Sequence, residues 1–445
     1  MPKLFDPRRL PDFTNKKVID SHLDRLDTTG VSRRDFLSLA SAGVAAAAGA
    51  AALGLPNVAV ADPSGKLAFL TAYYKNEYNT IADKSFAAAA AAYKLPYSVF
   101  DGNFDAQLQL NQFEQQTVAG LSGAVFNLAD GSSIRRLAKT ASDSKVYITN
   151  VWGTLAWYTP FDADEYYTLY AVPDEVSAQK AVTTALFKAI TDKFGGGDIV
   201  AVTGVPGHIT DISRSRGRDE ALKDFPKIKL AGSLPGNWNR EDSLKATEDL
   251  LSRYKNIVGI VAQNDDQAQG VLAALKAAGL QPGVDILVSG ADGTSNAARA
   301  IKAGQQVSTS ANSPAYIAAL FTGRIYDVTH GWVPRATERL QYWKSITTTS
   351  ANIDAYLERY VDNKVEPFDY RKVSRVLNPN DWDPQAEITP LDIDHEWGAL
   401  PKPNGWQYPT AYLDAKKNGE WEKVIAEYAD HYKIKFDGPS PLKAA

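Results

Sequence analysis

In the run GIVAQNDDQAQGVLAAL, residues 259–275, an amide and two adjacent carboxylates (Asn264, Asp265, Asp266) stand between an apolar stretch and a helical pattern. Side chains of these types can exchange protons, ligate a metal, cap a helix, or hydrogen-bond a docked molecule. Comparable groups follow other apolar runs: Asp292 in GADGTSN, Arg214 and Arg216 in SRSRGRDEAL, and Trp238 in GNWNRED. The first half of the chain carries YYKNEYN, with Asn76 and Tyr78, then Asp130 in NLADG, and Asn150 close to Trp152. The set comprises amides, carboxylates, one or two arginines and several rings. It suits an uncharged, polyhydroxylated ligand, whose hydroxyls need paired donors and acceptors and whose C–H face needs a flat apolar surface.

Catalytic and metal chemistry find less support. The chain has no cysteine, which excludes thiolate nucleophiles, disulfides, Fe–S clusters and cysteine-bearing zinc sites. His208, His330, His395 and His431 lie in unrelated segments without metal-ligand spacing, and neither G-x-G-x-x-G nor G-K-[ST] occurs. NPNDWDPQAE (378–387) is spaced like a calcium loop but lacks the turn glycine and contains Pro384; DIDHEW (392–397) reads as a solvated turn. No cofactor and no metal site is expected. The formal net charge of -4 gives no reason to expect nucleic acid, which would favour a basic face, so none is expected as a partner.

The elements that position these groups alternate. Strands are expected at 66–73, 97–101, 123–127 and 145–150, with helices at 80–94, 105–119 and 132–142 between them. After a connecting stretch from Val151, a helix at about 177–194 restarts the rhythm, and strands follow at 198–204, 227–234, 256–262 and 284–290. Short strands buried on both faces and separated by helices indicate parallel α/β sheets, here two doubly wound lobes. Ligands of such sheets sit beyond the carboxyl ends of the strands, where every cluster above lies.

The N-terminal segment has its own pattern. SRRDFLSLA, with paired Arg33 and Arg34, precedes the weakly apolar run SAGVAAAAGAAALGL and a small-residue A-x-A site ending at Ala61. It resembles a twin-arginine export signal, and implies a soluble periplasmic product cleaved near Ala61.

IVAQNDDQAQGVLAALKAAG, VSGADGTSNAARAIKAG, SRSRGRDEAL and VSTSANSP resemble, in this order, the fingerprints of periplasmic ribose-type (type I, cluster B) sugar-binding proteins of ATP-binding-cassette importers. The similarity covers about residues 66–330. It implies that Asn264, Asp292 and Arg214 hydrogen-bond sugar hydroxyls, that Trp238 stacks on the ring, and that Asn312 and Asp130 also contact ligand. The first-strand motif departs from the family's N-P-F-F or N-P-F-W: here Asn76-Glu77-Tyr78-Asn79 retains one aromatic and replaces the other by an amide.

The resemblance further implies a fold of two doubly wound parallel-sheet lobes joined by a hinge, with crossovers near Asn150, Asn312 and 335–345. The expected division is 1–61 signal peptide, 66–150 plus about 313–335 as N-terminal lobe, and 151–312 plus about 340–375 as C-terminal lobe. Residues 376–445 form a C-terminal extension outside the family pattern, whose four tryptophans are expected to pack on the lobes. The reading is a monomeric binding protein that captures a monosaccharide or sugar alcohol and delivers it to an inner-membrane permease. The alternative is an exported enzyme acting on sugars or polyols. Asp265 and Asp266 are expected to serve the first turn of their own helix; Asp292 as a cap, Arg214 as a surface ion pair and Trp238 as core remain open alternatives.

Overall fold

The computed structural model describes residues 65–443; the paired arginines and the Ala61 site lie outside them. Among the described residues no helix is long and apolar enough to cross a membrane.

The first sheet begins with β1 (Lys66–Thr71), β2 (Tyr97–Asp101), β3 (Leu121–Asn127) and β4 (Tyr147–Val151), connected by α1 (Glu77–Ala92), α2 (Ala106–Val118) and α3 (Ile134–Ser144). The second holds β6 (Gly197–Thr203), β7 (Ile228–Pro235), β8 (Ile257–Ala262), β9 (Leu287–Ala291) and β10 (Ser308–Ala311). Its helices are α4 (Glu175–Phe194), α5 (Ile209–Asp224), α6 (Arg240–Arg253), α7 (Asp265–Ala277) and α8 (Ser295–Lys302). Apolar runs such as Leu67–Leu70 and Ile260–Ala262 are buried because helices cover both faces of each sheet.

The connecting stretch corrects the sequence reading. Its residues Tyr167–Pro173 form a strand, β5, buried throughout, which pairs with β4 and so belongs to the first sheet. The chain therefore first crosses between lobes at Asp174, and Asn150 lies inside β4 instead of at a hinge. It returns at Asn312–Ser313 into α9 (Pro314–Thr329), which packs on α1. The strand β11 (Leu340–Trp343), expected in the second lobe, extends the first sheet beside β5; only β12 (Ile346–Thr349) and α10 (Ile353–Tyr360) belong to the second. The third crossing is thus Lys344–Ser345. The orders are β13-β11-β5-β4-β3-β1-β2 and β12-β10-β9-β8-β6-β7, where β13 is Ile388–Pro390. All neighbours are parallel except β11/β13 and β10/β12.

The extension adds β13, α11 (Ile393–Trp397), α12 (Thr410–Lys417) and α13 (Glu420–His431). Trp382 and Trp397 are buried and Trp406 and Trp421 half-buried. The segment DIDHEW is not a solvated turn: it is α11, with Glu396 and Trp397 buried. The extension touches both lobes. Trp397 packs on Tyr170 of β5 and on Trp157, while Arg359 of α10 donates to the carbonyls of Phe436 (3.2 Å) and Gly438 (3.0 Å).

Candidate ligand-binding cleft

The carboxyl ends of both sheets face one cavity of about 110 Å³, walled by Asn76, Tyr78, Asn79, Phe104, Asn127 and Trp152 from the first lobe and by His208, Arg214, Trp238, Asn264 and Asp292 from the second, among others.

Arg214, in α5, is 3% exposed, so its charge must be met by protein groups. Glu175, in the first turn of α4, faces it with both oxygens, accepting from Nη2 at 3.1 Å and from Nε. Asp292 Oδ1 accepts from Nη2 at 3.1 Å, and the Gln263 carbonyl accepts from Nη1. The guanidinium also lies 5.7 Å from the ring centres of both Trp152, in the first lobe, and Trp238, in the second. One cation is therefore shared by two carboxylates. Glu175 takes the two-point contact, and Asp292 has the weaker share. Burial pushes the Asp292 carboxyl up to about 7, against the pull of Arg214 and with Glu175 adding to the rise. Burial disfavours the Arg214 cation, yet Glu175 and Asp292 hold its pKa above the ordinary value.

Asp292 Oδ2 has no hydrogen bond among the described residues, and Asp292 lines the cavity. Its φ of 119° is unusual for a residue with a side chain, and Trp152 (63°), Trp238 (61°) and Phe104 (57°) are also left-handed. Such conformations cost about 1–3 kcal/mol each and gather where a site needs side chains aimed in a particular direction. Trp238 shows how that aim is kept. Gly204 lies under its indole, and a Cβ there would come within 2.0 Å of the ring.

Asn76 and Asn264 play matched parts. Each is the N-cap of the helix after its strand, Asn76 Oδ1 accepting from Asn79 N and Asn264 Oδ1 from Gln267 N, both at 2.8 Å, and each lines the cavity. Asn264 Nδ2 also donates to the Trp238 carbonyl at 3.4 Å. Capping uses one amide oxygen and leaves donor capacity toward the cleft. The Tyr78 ring meets Trp152 edge-on at 5.7 Å, and its hydroxyl is buried without a partner among the described residues.

Three expected site residues stand elsewhere. Asp130 is exposed and caps a short 3-10 turn by accepting from Ser132 N at 2.8 Å, outside the cavity wall. Asn150 is fully buried in β4, where its Nδ2 donates to the Gly153 carbonyl. Asn312, at the second crossing, is one layer back: its Nδ2 lies 3.4 Å from Asp292 Oδ1 and its carbonyl accepts from Trp343 Nε1. The neighbours of Asn264 also differ from expectation. Asp265 is buried and serves α8, accepting from the Gly293 and Thr294 amides; Asp266 accepts from Glu77 N, at the start of α1 in the opposite lobe.

His208 and Phe104 line the cavity and Glu175 pairs with Arg214, and the sequence reading named none of the three as a ligand contact. His208 caps α5 through Nδ1, and burial together with the Arg214 charge lowers its pKa to about 4, so the ring is neutral at pH 7. Phe104 did carry a signal. Gly102-Asn103-Phe104-Asp105 repeats the pattern of Gly236-Asn237-Trp238-Asn239, each loop following the second strand of its lobe and ending in a helix N-cap. The backbones match, with Gly102 N and Gly236 N donating to Thr71 O and Thr203 O, and φ positive at both central residues of each loop.

A two-lobed α/β fold with a polar and aromatic cleft defines a class, and comparison with known proteins names it. Residues 67–323 match the family model of the periplasmic binding protein domain, and the chain belongs to that family. It is similar to the D-allose-binding periplasmic protein of Escherichia coli strain K12, with 32% identity over 223 residues, 49% of this chain and 68% of that one. The xylitol-binding protein of Mycolicibacterium smegmatis is 28% identical over 274 residues, 60% of this chain and 74% of that one. The crystal structure of a twin-arginine translocation pathway signal protein from Burkholderia phytofirmans covers 69% of this chain and 96% of its own, with a TM-score of 0.63 and 24% identity.

Proposed function

We propose that the protein captures a neutral monosaccharide or sugar alcohol between its lobes and presents it to the permease of an ATP-binding-cassette importer in the periplasm. The observation that carries the neutral ligand is the shared cation: Arg214 is already faced by Glu175 and Asp292, so an added carboxylate or phosphate meets no unpaired positive charge and two acidic groups at short range. Hydroxyls, in contrast, can donate to the free oxygen of Asp292 and accept from the amides of Asn76 and Asn264. Charge-assisted bonds of this kind are the stronger ones. The apolar remainder of the wall, with Trp238, Tyr78, Trp152 and Phe104, suits the C–H faces of such a molecule.

The relatives support this class, since their names refer to D-allose and xylitol. Members of the family are binding proteins of transporters, and the same role, without catalysis, is proposed here. Export through Arg33 and Arg34 with cleavage near Ala61 completes the proposal. A thermal-shift panel of pentoses, hexoses, polyols and cyclitols beside sugar acids and sugar phosphates tests it. At a ligand concentration about a hundred times Kd, stabilisation is about 2.7 kcal/mol, a visible rise in Tm. A rise with one or more neutral members is expected; a rise with the acids or phosphates alone would refute the reading.

A further inference from the structure

Between the wall residues Asn76 and Tyr78 sits Glu77, where the related motif has proline, and its carboxylate crosses to the other lobe. Glu77 Oε1 accepts from the backbone N–H of Ser295 at 2.9 Å and of Asn296 at 3.3 Å, and from the Ser295 hydroxyl; Oε2 accepts from Asn296 Nδ2. These amides belong to the first turn of α8, where no intrahelical partner exists and the helix dipole favours a negative charge. Asp266 makes the reverse crossing. From the first turn of α7 its Oδ2 accepts from Glu77 N at 3.0 Å, in the first turn of α1, while Arg240 of its own lobe donates to Oδ1 at 2.9 Å.

We propose that Glu77 and Asp266 are positioning residues for capture: each carboxylate caps a helix of the opposite lobe, and the reciprocal pair holds the lobes closed with Asn76 and Tyr78 set against the ligand. Neither residue is among those that line the cavity. A single-sided contact would slide as the lobes rotate. Two crossing contacts, one in each direction and anchored on the backbone of two helices, fix a single closed arrangement. Ligand release requires them to break, so they act on the dissociation rate. The kinetic half of this inference rests on the proposed capture of a neutral polyol; the mechanical half does not.

The test compares the wild-type full chain with Glu77→Ala, Asp266→Ala and Glu77→Gln. Dissociation is followed by stopped flow with whichever of xylitol, D-allose, D-ribose or myo-inositol binds, and the ligand-free proteins are compared by small-angle scattering. Both alanine variants should release ligand about tenfold faster or more, with association within about threefold of wild type, as for other interactions that act after encounter. Glu77→Gln keeps an acceptor for the α8 amides and should fall between; it also carries the test should Glu77→Ala not fold. The alanine variants should have a larger ligand-free radius of gyration. A role confined to helix stability would lower Tm and leave the release rate and the scattering unchanged, and that result would overturn the inference. Should none of the probes bind wild type, the thermal-shift panel decides the ligand reading and scattering decides the pair alone, an unchanged radius refuting it.

Discussion

Asp292 shares one guanidinium with Glu175 and holds the weaker half of it. The consequence is a carboxyl that the ligand-free fold tolerates poorly as an anion, with one oxygen still available in the cleft. A hydroxyl donating to that oxygen supplies the compensation that Arg214 divides between two partners. Removing a partner from a desolvated hydrogen bond costs about 1–3 kcal/mol, roughly ten- to a hundredfold in affinity. Asp292→Ala should therefore lose most binding by calorimetry, while its ligand-free Tm at pH 7 stays close to wild type because Glu175 still neutralises Arg214. A large fall in ligand-free Tm, or undiminished affinity, would show that Asp292 is a structural partner only. The residues one layer away explain themselves similarly. Asn312 and Asn150 each direct Nδ2 at a protein acceptor, while the buried Oδ1 of each has no partner among the described residues, and their types alone do not distinguish a structural duty from ligand contact.

Among the elements, α11 stands out because it places titrating groups against the first crossing. His395 Nε2 lies 3.0 Å from Asp174 Oδ1, and Arg216 of α5 donates to the His395 carbonyl at 2.6 Å. Glu396, buried beside them, is pushed up to about 7 by burial although the Tyr342 hydroxyl donates to it at 2.7 Å; Asp174 and Glu175 add to the rise. The sign follows from proton binding. A carboxyl whose folded pKa exceeds its unfolded value keeps a proton in the fold that the unfolded chain has lost, so stability falls as pH rises from the ordinary carboxylate range through about 7. Between pH 5 and pH 8 this one group accounts for about 2–3 kcal/mol. Denaturant unfolding of wild type should show that fall, with the Asp292 carboxyl contributing in the same window, and Glu396→Gln should make it shallower by about that amount. An identical pH dependence in the variant would mean that Glu396 is ionised in the fold throughout.

At the scale of the molecule, the parts legible in the sequence are those written in local pattern. The apolar runs located β1 to β4 and β6 to β9 to within three residues at either end, because strands buried on both faces leave uninterrupted apolar blocks. β5 was hidden since YTLYAVP mixes tyrosine and threonine with apolar residues and follows an aromatic loop; only its pairing with β4 and β11 makes it a strand. That Asn76, Asn264 and Asp292 stand in the cavity wall was readable from their position at strand ends. Glu175 was not, since nothing local distinguishes a carboxylate in a helix's first turn from one that reaches Arg214 across a sheet end. Asp266 was assigned to its own helix for the same reason, and distance in sequence concealed that the amide it caps belongs to residue 77.

The claim that two lobes close on a neutral polyol is tested most directly by a tryptophan-emission titration of wild type against Trp238→Ala. The indole lies over Gly204, against the Arg214 guanidinium and in the cavity wall, so a ligand C–H face laid on it excludes water from one side of the ring. With nine tryptophans in the chain, the difference between the two proteins carries the information. A saturable shift with a neutral sugar or sugar alcohol is expected in wild type, with much of the shift and at least about tenfold of the affinity lost in the variant. A response to sugar acids or phosphates alone, or a neutral-polyol response of the same size and midpoint in both proteins, would contradict the account.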